Sequence, residues 1–129
     1  MLTPHEGEFL RVGGNLSQGR TAAATEFAHQ SGAVVVLKGP GTVVAGPDGR
    51  CRVNTTGNCG MAKGGSGDVL SGVVLALLGL GMDAFDACCC AVWLHGRAGD
   101  LAAQEKGQWG MTPTDLLERL PQALREVTE

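Results

Sequence analysis

The sequence predicts an α/β domain, and three observations carry that expectation. Ala33-Val34-Val35-Val36-Leu37 is a continuous apolar, β-branched run, which suits a strand buried on both faces, as in a parallel sheet. Thr42-Val43-Val44-Ala45 and Cys51-Arg52-Val53-Asn54 flank Gly46-Pro47-Asp48-Gly49-Arg50, the pattern of a hairpin. A glycine-dense loop over residues 54–67 then runs straight into an apolar helical stretch, residues 68–80. Helix, strands, glycine loop and helices in that order give the α/β class.

The elements follow in chain order. Residues 2–14 read as irregular, with Glu6 and Glu8 as their acids. Asn15 or Ser17 caps a helix over residues 18–30, closed by Gly32 at its C′ position. The buried strand and the hairpin come next. After the helix of residues 68–80, Gly81 leads into a second long helix over residues 84–106. Thr112-Pro113-Thr114-Asp115 opens the last helix with a cap, a proline at N1 and an acid at N3. Pro121 is predicted to kink or divide it. No repeat, low-complexity tract or linker interrupts the chain, so residues 1–129 read as a single domain large enough to bury a core.

Composition excludes several function classes. Net charge is −3, from ten basic and thirteen acidic residues, so the chain lacks the basic stripe of a nucleic-acid binder. With no tyrosine, two tryptophans and three phenylalanines, it has no aromatic platform for stacking bases. An apolar fraction of 43% with 18% charge is that of a globular protein. Of the five cysteines, Cys88, Cys89 and Cys90 are adjacent and Cys51 and Cys59 lack partners at zinc spacing, so all five read as reduced thiols in a cytoplasmic protein. The longest uncharged stretch, between Asp68 and Asp83, has fourteen residues, short of the roughly 20 that span a bilayer. Residues 1–6 lack the basic and apolar regions of a signal peptide. Glycine is the outlier, 21 of 129 residues.

Those glycines concentrate where an anion would bind. Glycine lets backbone approach a ligand and adopt positive φ, so that successive N–H groups converge. The first N–H groups of a helix lack internal partners, and the helix dipole adds partial positive charge there. Gly64-Gly65-Ser66-Gly67 supplies such a loop before a helix read as starting at Asp68. It has neither the Lys-Ser/Thr ending of a P-loop nor a G-x-G-x-x-G. Asp68 then has two readings. An acid in the first turn is favoured by the dipole; beside a phosphate cradle, the same carboxylate suits a general base facing a substrate hydroxyl.

At this point the motifs, taken together, carry a resemblance. Leu2-Thr3-Pro4-His5-Glu6-Gly7-Glu8, Lys38-Gly39-Pro40-Gly41-Thr42, Asn54-Thr55-Thr56-Gly57-Asn58 and Gly60-Met61-Ala62-Lys63-Gly64-Gly65-Ser66-Gly67-Asp68 occur in that order. They resemble the NAD(P)H-hydrate dehydratases, the carbohydrate-kinase-like domain of the ribokinase-like superfamily. Vitamin-precursor kinases share only the shorter Gly-x-Gly-Asp ending. The resemblance implies a three-layer α/β/α architecture and repair of hydrated nicotinamide cofactors. ADP or ATP phosphorylates the hydroxyl of (6S)-NAD(P)H hydrate, and loss of phosphate restores NAD(P)H.

Carried over by residue, Asp68 resembles the catalytic base and a hydrate contact, and His5 another contact to the hydrate. Lys38, Gly39, Pro40, Gly41 and Thr42 resemble the loop that receives the AMP part of the nucleotide. Asn58, Gly64, Gly65, Ser66 and Gly67 would line the phosphate channel. Mg²⁺ is expected on phosphates and water, with no residue of the chain assigned as its ligand. The resemblance also implies a homo-oligomer, with no nucleic-acid or membrane partner.

The chain departs from the family pattern at three positions. Glu6 and Cys59 stand where prolines are usual, and Lys63 stands where a small hydroxyl residue is common, its charge available to a phosphate. Members are about twice as long, so the chain corresponds to the C-terminal half of the domain. A small-molecule kinase of the same superfamily and a non-catalytic nucleotide-binding fragment are the alternative functions.

Other polar residues read as structural. His95, beside Trp93 and Leu94 on the long helix, reads as a hydrogen-bonded packing residue, and His29 as solvated at a helix end. Asp100 either supports the glycine loop or faces solvent. Cys88, Cys89 and Cys90 read as helix packing.

Overall fold

The computed structural model describes residues 1–129 and groups them into two compact units: residues 1–54 with 82–89, and residues 55–81 with 90–129.

In the first unit the apolar run forms β1 (Val35–Leu37), followed by β2 (Val43–Ala45) and β3 (Cys51–Val53), in a sheet of order β1-β2-β3. β1 and β2 are buried throughout, while β3 is largely exposed: Val35, Leu37, Val43 and Ala45 share a core with Phe9, Ala23, Ala24 and Ala28. Val36 and Val44, which alternate to the opposite face, are equally enclosed. Burial on both faces therefore follows the sequence pattern, but the pairing within the sheet is antiparallel. The short 38–42 connection allows nothing else, because a parallel pair needs a crossover of a dozen residues or more. Parallel pairing occurs instead as bridges from Leu2 to Val35 and from His5 to Lys38. The two helices between them supply that crossover.

Those helices differ from the sequence reading. Residues 2–14 contain α1 (Glu6–Arg11), started by His5, whose Nδ1 accepts the Glu8 N–H at 3.2 Å. Histidine is outside the usual N-cap set, so the sequence pattern does not mark this start, although Glu6 and Glu8 favour the positive helix end. Phe9, fully buried, anchors it. The next helix, α2 (Arg20–Ser31), has Gly19 rather than Asn15 or Ser17 at its N-cap. Asn15 instead accepts from the Ser17 N–H at 2.9 Å, an Asx turn that competes with capping. Gly32 ends α2 in the left-handed conformation, φ +69°, as expected.

The second unit holds a 3₁₀ turn (Cys59–Met61), α3 (Ser66–Gly79), most of α4 (Ala84–Gly110) and α5 (Pro113–Thr128). Its core joins Leu94, Ala98 and Leu101 of α4 to Leu116 and Ala123 of α5, with Val69 and Leu77 of α3 against them. Gly107, at φ +74° and ψ +160°, breaks α4 just after the predicted end. Thr112 and Asp115 form the predicted capping box, with proline at N1. Pro121 does not divide α5, which is continuous to Thr128. Proline removes one N–H and crowds the preceding turn, and the stripe of buried Leu116 and Ala123 with partly buried Leu120 holds the helix through it. No helix is long and apolar enough to cross a membrane.

Candidate functional site

The predicted site residues fall into two groups, one on each unit. On the first unit, the His5–Lys38 bridge sets the His5 segment beside the 38–42 loop, with the Lys38 N–H donating to Pro4 O at 2.8 Å. Both His5 nitrogens are engaged: Nδ1 by the Glu8 N–H, and Nε2 with Glu8 Oε1 at 2.7 Å. The accepting Nδ1 assigns the proton to Nε2.

Arg20, which the sequence reading passed over, dominates the loop. Its Nη1 donates to Pro40 O at 2.5 Å and Gly41 O at 3.1 Å. Its Nη2 donates to Leu37 O at 3.0 Å and Lys38 O at 3.1 Å. Nε meets Glu6 Oε1 at 2.9 Å, so one of the departures from the family pattern supplies the partner of this arginine. Thr42 Oγ1 closes the turn on Gly39 O at 3.1 Å.

On the second unit, the glycine loop lies directly on α4. A Cβ at Gly96 would stand 2.2 Å from Thr56 Oγ1, and one at Gly99 would stand 2.3 Å from Met61 Sδ. Thr56 Oγ1 donates to Trp93 O at 2.9 Å. Asp100 holds the loop by both oxygens: Oδ1 accepts from Asn58 Nδ2 at 2.9 Å and Oδ2 from the Gly57 N–H at 3.0 Å. Asn58 in turn accepts the Gly60 N–H at 2.9 Å and starts the 3₁₀ turn. Asp100 is thus a support of the loop, the first of its two sequence readings.

Lys63 is committed elsewhere than the sequence reading placed it. Its Nζ donates to Gln108 O at 3.4 Å, Trp109 O at 3.1 Å and Met111 O. These are carbonyls released where Gly107 breaks α4, and the ammonium satisfies them as a C-terminal cation does.

The helix after the loop starts earlier than predicted. Gly65, in the left-handed conformation at φ +100°, is the N-cap of α3, and no side chain caps it. Ser66, Gly67 and Asp68 are therefore N1 to N3. Ser66 N bonds to Lys63 O at 3.2 Å, and the next N–H groups, of Gly67 and Asp68, are donors at the positive end of the helix. Gly64 has open space where a Cβ would be. Asp68 is exposed in the first turn rather than being the cap. Beneath it, buried His95 Nε2 meets Ser66 O at 2.9 Å, a packing histidine as predicted. His29 is exposed at the end of α2. All five cysteines are free thiols. Burial pushes the Cys88 thiol up to about 11, which keeps it protonated and inert.

Asp68 is the one carboxylate in this first turn, and the chain offers no cluster of three His, Cys, Asp or Glu side chains. That donor set fits a cation carried in on phosphates and water, as Mg²⁺ is, with one carboxylate beside it.

Comparison with known proteins gives the site its context. The family described as NAD(P)H-hydrate dehydratase matches residues 1–122. A bifunctional NAD(P)H-hydrate repair enzyme Nnr of Thermofilum pendens is 49% identical over 133 aligned positions, covering 100% of this chain and 25% of that protein. Among solved structures, the ADP/ATP-dependent NAD(P)H-hydrate dehydratase of Bacillus subtilis, co-crystallized with ATP/Mg²⁺, superposes with a TM-score of 0.91 at 40% identity. The match covers 97% of this chain and 47% of that one. A ribokinase-like superfamily protein of Enterococcus faecalis follows at 0.80 and 30% identity, covering 97% and 44%. The fold is therefore ribokinase-like α/β, and the chain spans less than half the length of these relatives.

Proposed function

The chain belongs to the NAD(P)H-hydrate dehydratase family, and from that premise we propose that it serves the nucleotide-dependent dehydration of (6S)-NAD(P)H hydrate to NAD(P)H. The observation that carries this reading is the uncapped start of α3, where a left-handed Gly65 presents backbone donors next to an exposed Asp68. Phosphoryl transfer needs positioning and charge stabilisation more than covalent help.

In this reading the N–H groups of Gly67 and Asp68 hold the phosphoryl group being transferred, with Gly64, Gly65 and Ser66 setting the loop's approach. Asn58 lines the phosphate path while Asp100 fixes its amide. Lys38, Gly39, Pro40, Gly41 and Thr42 take the AMP part of ADP or ATP, and His5 contacts the hydrate. Asp68 removes the proton from the hydrate's hydroxyl as that oxygen attacks phosphorus, and the nucleotide leaves one phosphate shorter. The C–O bond to the new phosphate then breaks, the ring gives up a proton, and NAD(P)H and inorganic phosphate result. Asp68, the acid in the first turn of α3, would face Mg²⁺ carried on the phosphates, and the ion when bound would supply neutralisation of phosphate charge. The compartment is the cytoplasm, and the assembly is a homo-oligomer.

The test has two parts. Calorimetry of the 129-residue chain with ADP and Mg²⁺ is expected to show one nucleotide site; no heat with ADP, ATP or AMP sinks the reading for this chain. In a full-length dehydratase carrying this segment, Asp68→Asn is expected to reduce turnover about 10²–10⁴-fold with nucleotide affinity retained. Near-normal turnover would reduce Asp68 to a dipole-favoured helix residue.

A further inference from the structure

Both terminal nitrogens of the Arg20 guanidinium are fully committed: Nη1 donates to Pro40 O and Gly41 O, and Nη2 to Leu37 O and Lys38 O. Nε is buried and forms an ion pair with Glu6 Oε1 at 2.9 Å without a hydrogen bond. Those four carbonyls are the last of β1 and three of the loop that follows it. Gly39 O accepts from Thr42 Oγ1 at 3.1 Å, and Thr42 O from the Asn54 N–H at 2.8 Å. Three of the five carbonyls of the 38–42 loop, those of Lys38, Pro40 and Gly41, thus turn inward on one cation.

Its consequence follows from peptide planarity. Every peptide bond in the chain is trans, so each N–H points opposite the carbonyl of the residue before it. Carbonyls of Lys38, Pro40 and Gly41 that face the guanidinium turn the N–H groups of Gly39, Gly41 and Thr42 away from it. The Lys38 N–H is already taken by Pro4 O at 2.8 Å, and Pro40 has none. Three backbone donors are thereby set on the outer side of the loop.

The glycines fit this geometry. Gly41 sits at φ +64°, in the left-handed region, and a Cβ on Gly39 would stand 2.8 Å from Arg20 Nη2. Gly39 itself sits at φ +148°, a conformation that L side chains rarely adopt, and this favours glycine there.

We infer that Arg20 is a positioning residue for the nucleotide: its guanidinium gathers the loop carbonyls so that the N–H groups of Gly39, Gly41 and Thr42 face the ligand. The inference rests on the reading that the 38–42 loop takes ADP or ATP. Lysine keeps the charge at this position but has three donors on a point charge instead of a planar fork, so it cannot hold four carbonyls in register.

The experiment compares the 129-residue chain with its Arg20→Lys variant, using ADP with Mg²⁺ as titrant in calorimetry. Backbone amide NMR reports in parallel on residues 38–42 and on the rest of the fold. The expected result is a parent that binds ADP and a variant with shifted loop resonances, an unchanged remainder and about ten- to a hundredfold weaker ADP binding. Equal affinity in parent and variant, or unmoved loop resonances, overturns the inference and leaves the nucleotide reading standing. No binding by the parent overturns that reading and the inference with it. If Arg20→Lys does not fold, Arg20→Gln takes its place under the same criteria. Loss of the fold in both variants makes Arg20 a structural residue and overturns the inference.

Discussion

Asn58 Nδ2 donates to Asp100 Oδ1 at 2.9 Å, joining the glycine loop to the middle of α4. The other Asp100 oxygen accepts the Gly57 N–H at 3.0 Å, and Gly57 sits at φ +106°, where a side chain would be strained. One carboxylate therefore fixes both the backbone and the side chain of the segment that leads to the 3₁₀ turn. Asp100→Ala leaves an amide and a backbone N–H without their acceptor and is expected to destabilise the chain by about 1–3 kcal/mol in urea unfolding. Asp100→Asn retains one acceptor but turns an NH₂ toward a donor, so it is expected to be nearly as damaging. A midpoint unchanged in both variants would show that the loop holds its shape without Asp100.

Lys63 gives a second prediction because its geometry conflicts with a phosphate role. Its ammonium is taken up by Gln108 O, Trp109 O and Met111 O. Lys63→Met is expected to destabilise the end of α4 by about 1 kcal/mol, the net worth of an exposed set of such bonds. ADP affinity should change by less than about threefold, since no unit charge facing a phosphate is removed. A large loss of affinity at unchanged stability would return Lys63 to the phosphates.

The sequence made some of this legible and hid the rest for physical reasons. The buried run of β1, the hairpin and the capping box of Thr112 and Asp115 are local signals, fixed by residues a few positions apart, and each is present. The start of α1 was hidden because histidine is a rare cap. The end of α2 was legible from Gly32 and its start was not, since Gly19 caps nothing by side chain. Arg20 and Lys63 were hidden for a different reason. Their partners are carbonyls 17–21 and 45–48 residues away, and a backbone carbonyl leaves no trace in residue type. His95 was legible because an apolar helical context predicts a satisfied packing histidine.

Asp115 is one of four carboxyls, with Asp48, Asp83 and Glu126, that ion pairing and hydrogen bonds hold below their usual values. The bond from Lys106, at 2.7 Å, is the largest cause holding its carboxyl below the usual aspartate value, and the Thr112 N–H and hydroxyl add to it. A carboxylate whose folded value is lowered contributes stability above its unfolded value, and loses it as pH falls through the folded one. Acidification below the ordinary aspartate value of 3.8 is therefore expected to weaken the start of α5. Urea midpoints measured between neutral and strongly acid pH should fall less steeply for Asp115→Asn than for the parent. Parallel curves would show that other carboxylates govern the acid limb.

The contact between the glycine loop and α4 is tested by a pair of glycines with opposite surroundings. Gly72 lies in α3 with nothing within 4 Å of a Cβ added there. Alanine at that position gains helix propensity without a clash, so Gly72→Ala is expected to stabilise by about 0.5–1 kcal/mol. Gly96 lies in α4, where the same propensity gain applies, but its added Cβ would stand 2.7 Å from the Thr56 carbonyl carbon and 2.8 Å from its oxygen. Backbone cannot swing aside as a side-chain end can, so the loop must lift from the helix. Such overpacking costs about 1–3 kcal/mol, more than the propensity gain, and Gly96→Ala is expected to destabilise. Because Thr56 precedes Gly57 and Asn58 directly, the displaced loop should also bind ADP more weakly. Gly72→Ala should not, being on the helix and away from the loop. Opposite shifts in urea midpoint, with affinity lost only in the Gly96 variant, establish that close packing of residues 56–58 on α4 shapes the glycine loop; a stabilising Gly96→Ala would remove that contact from the account.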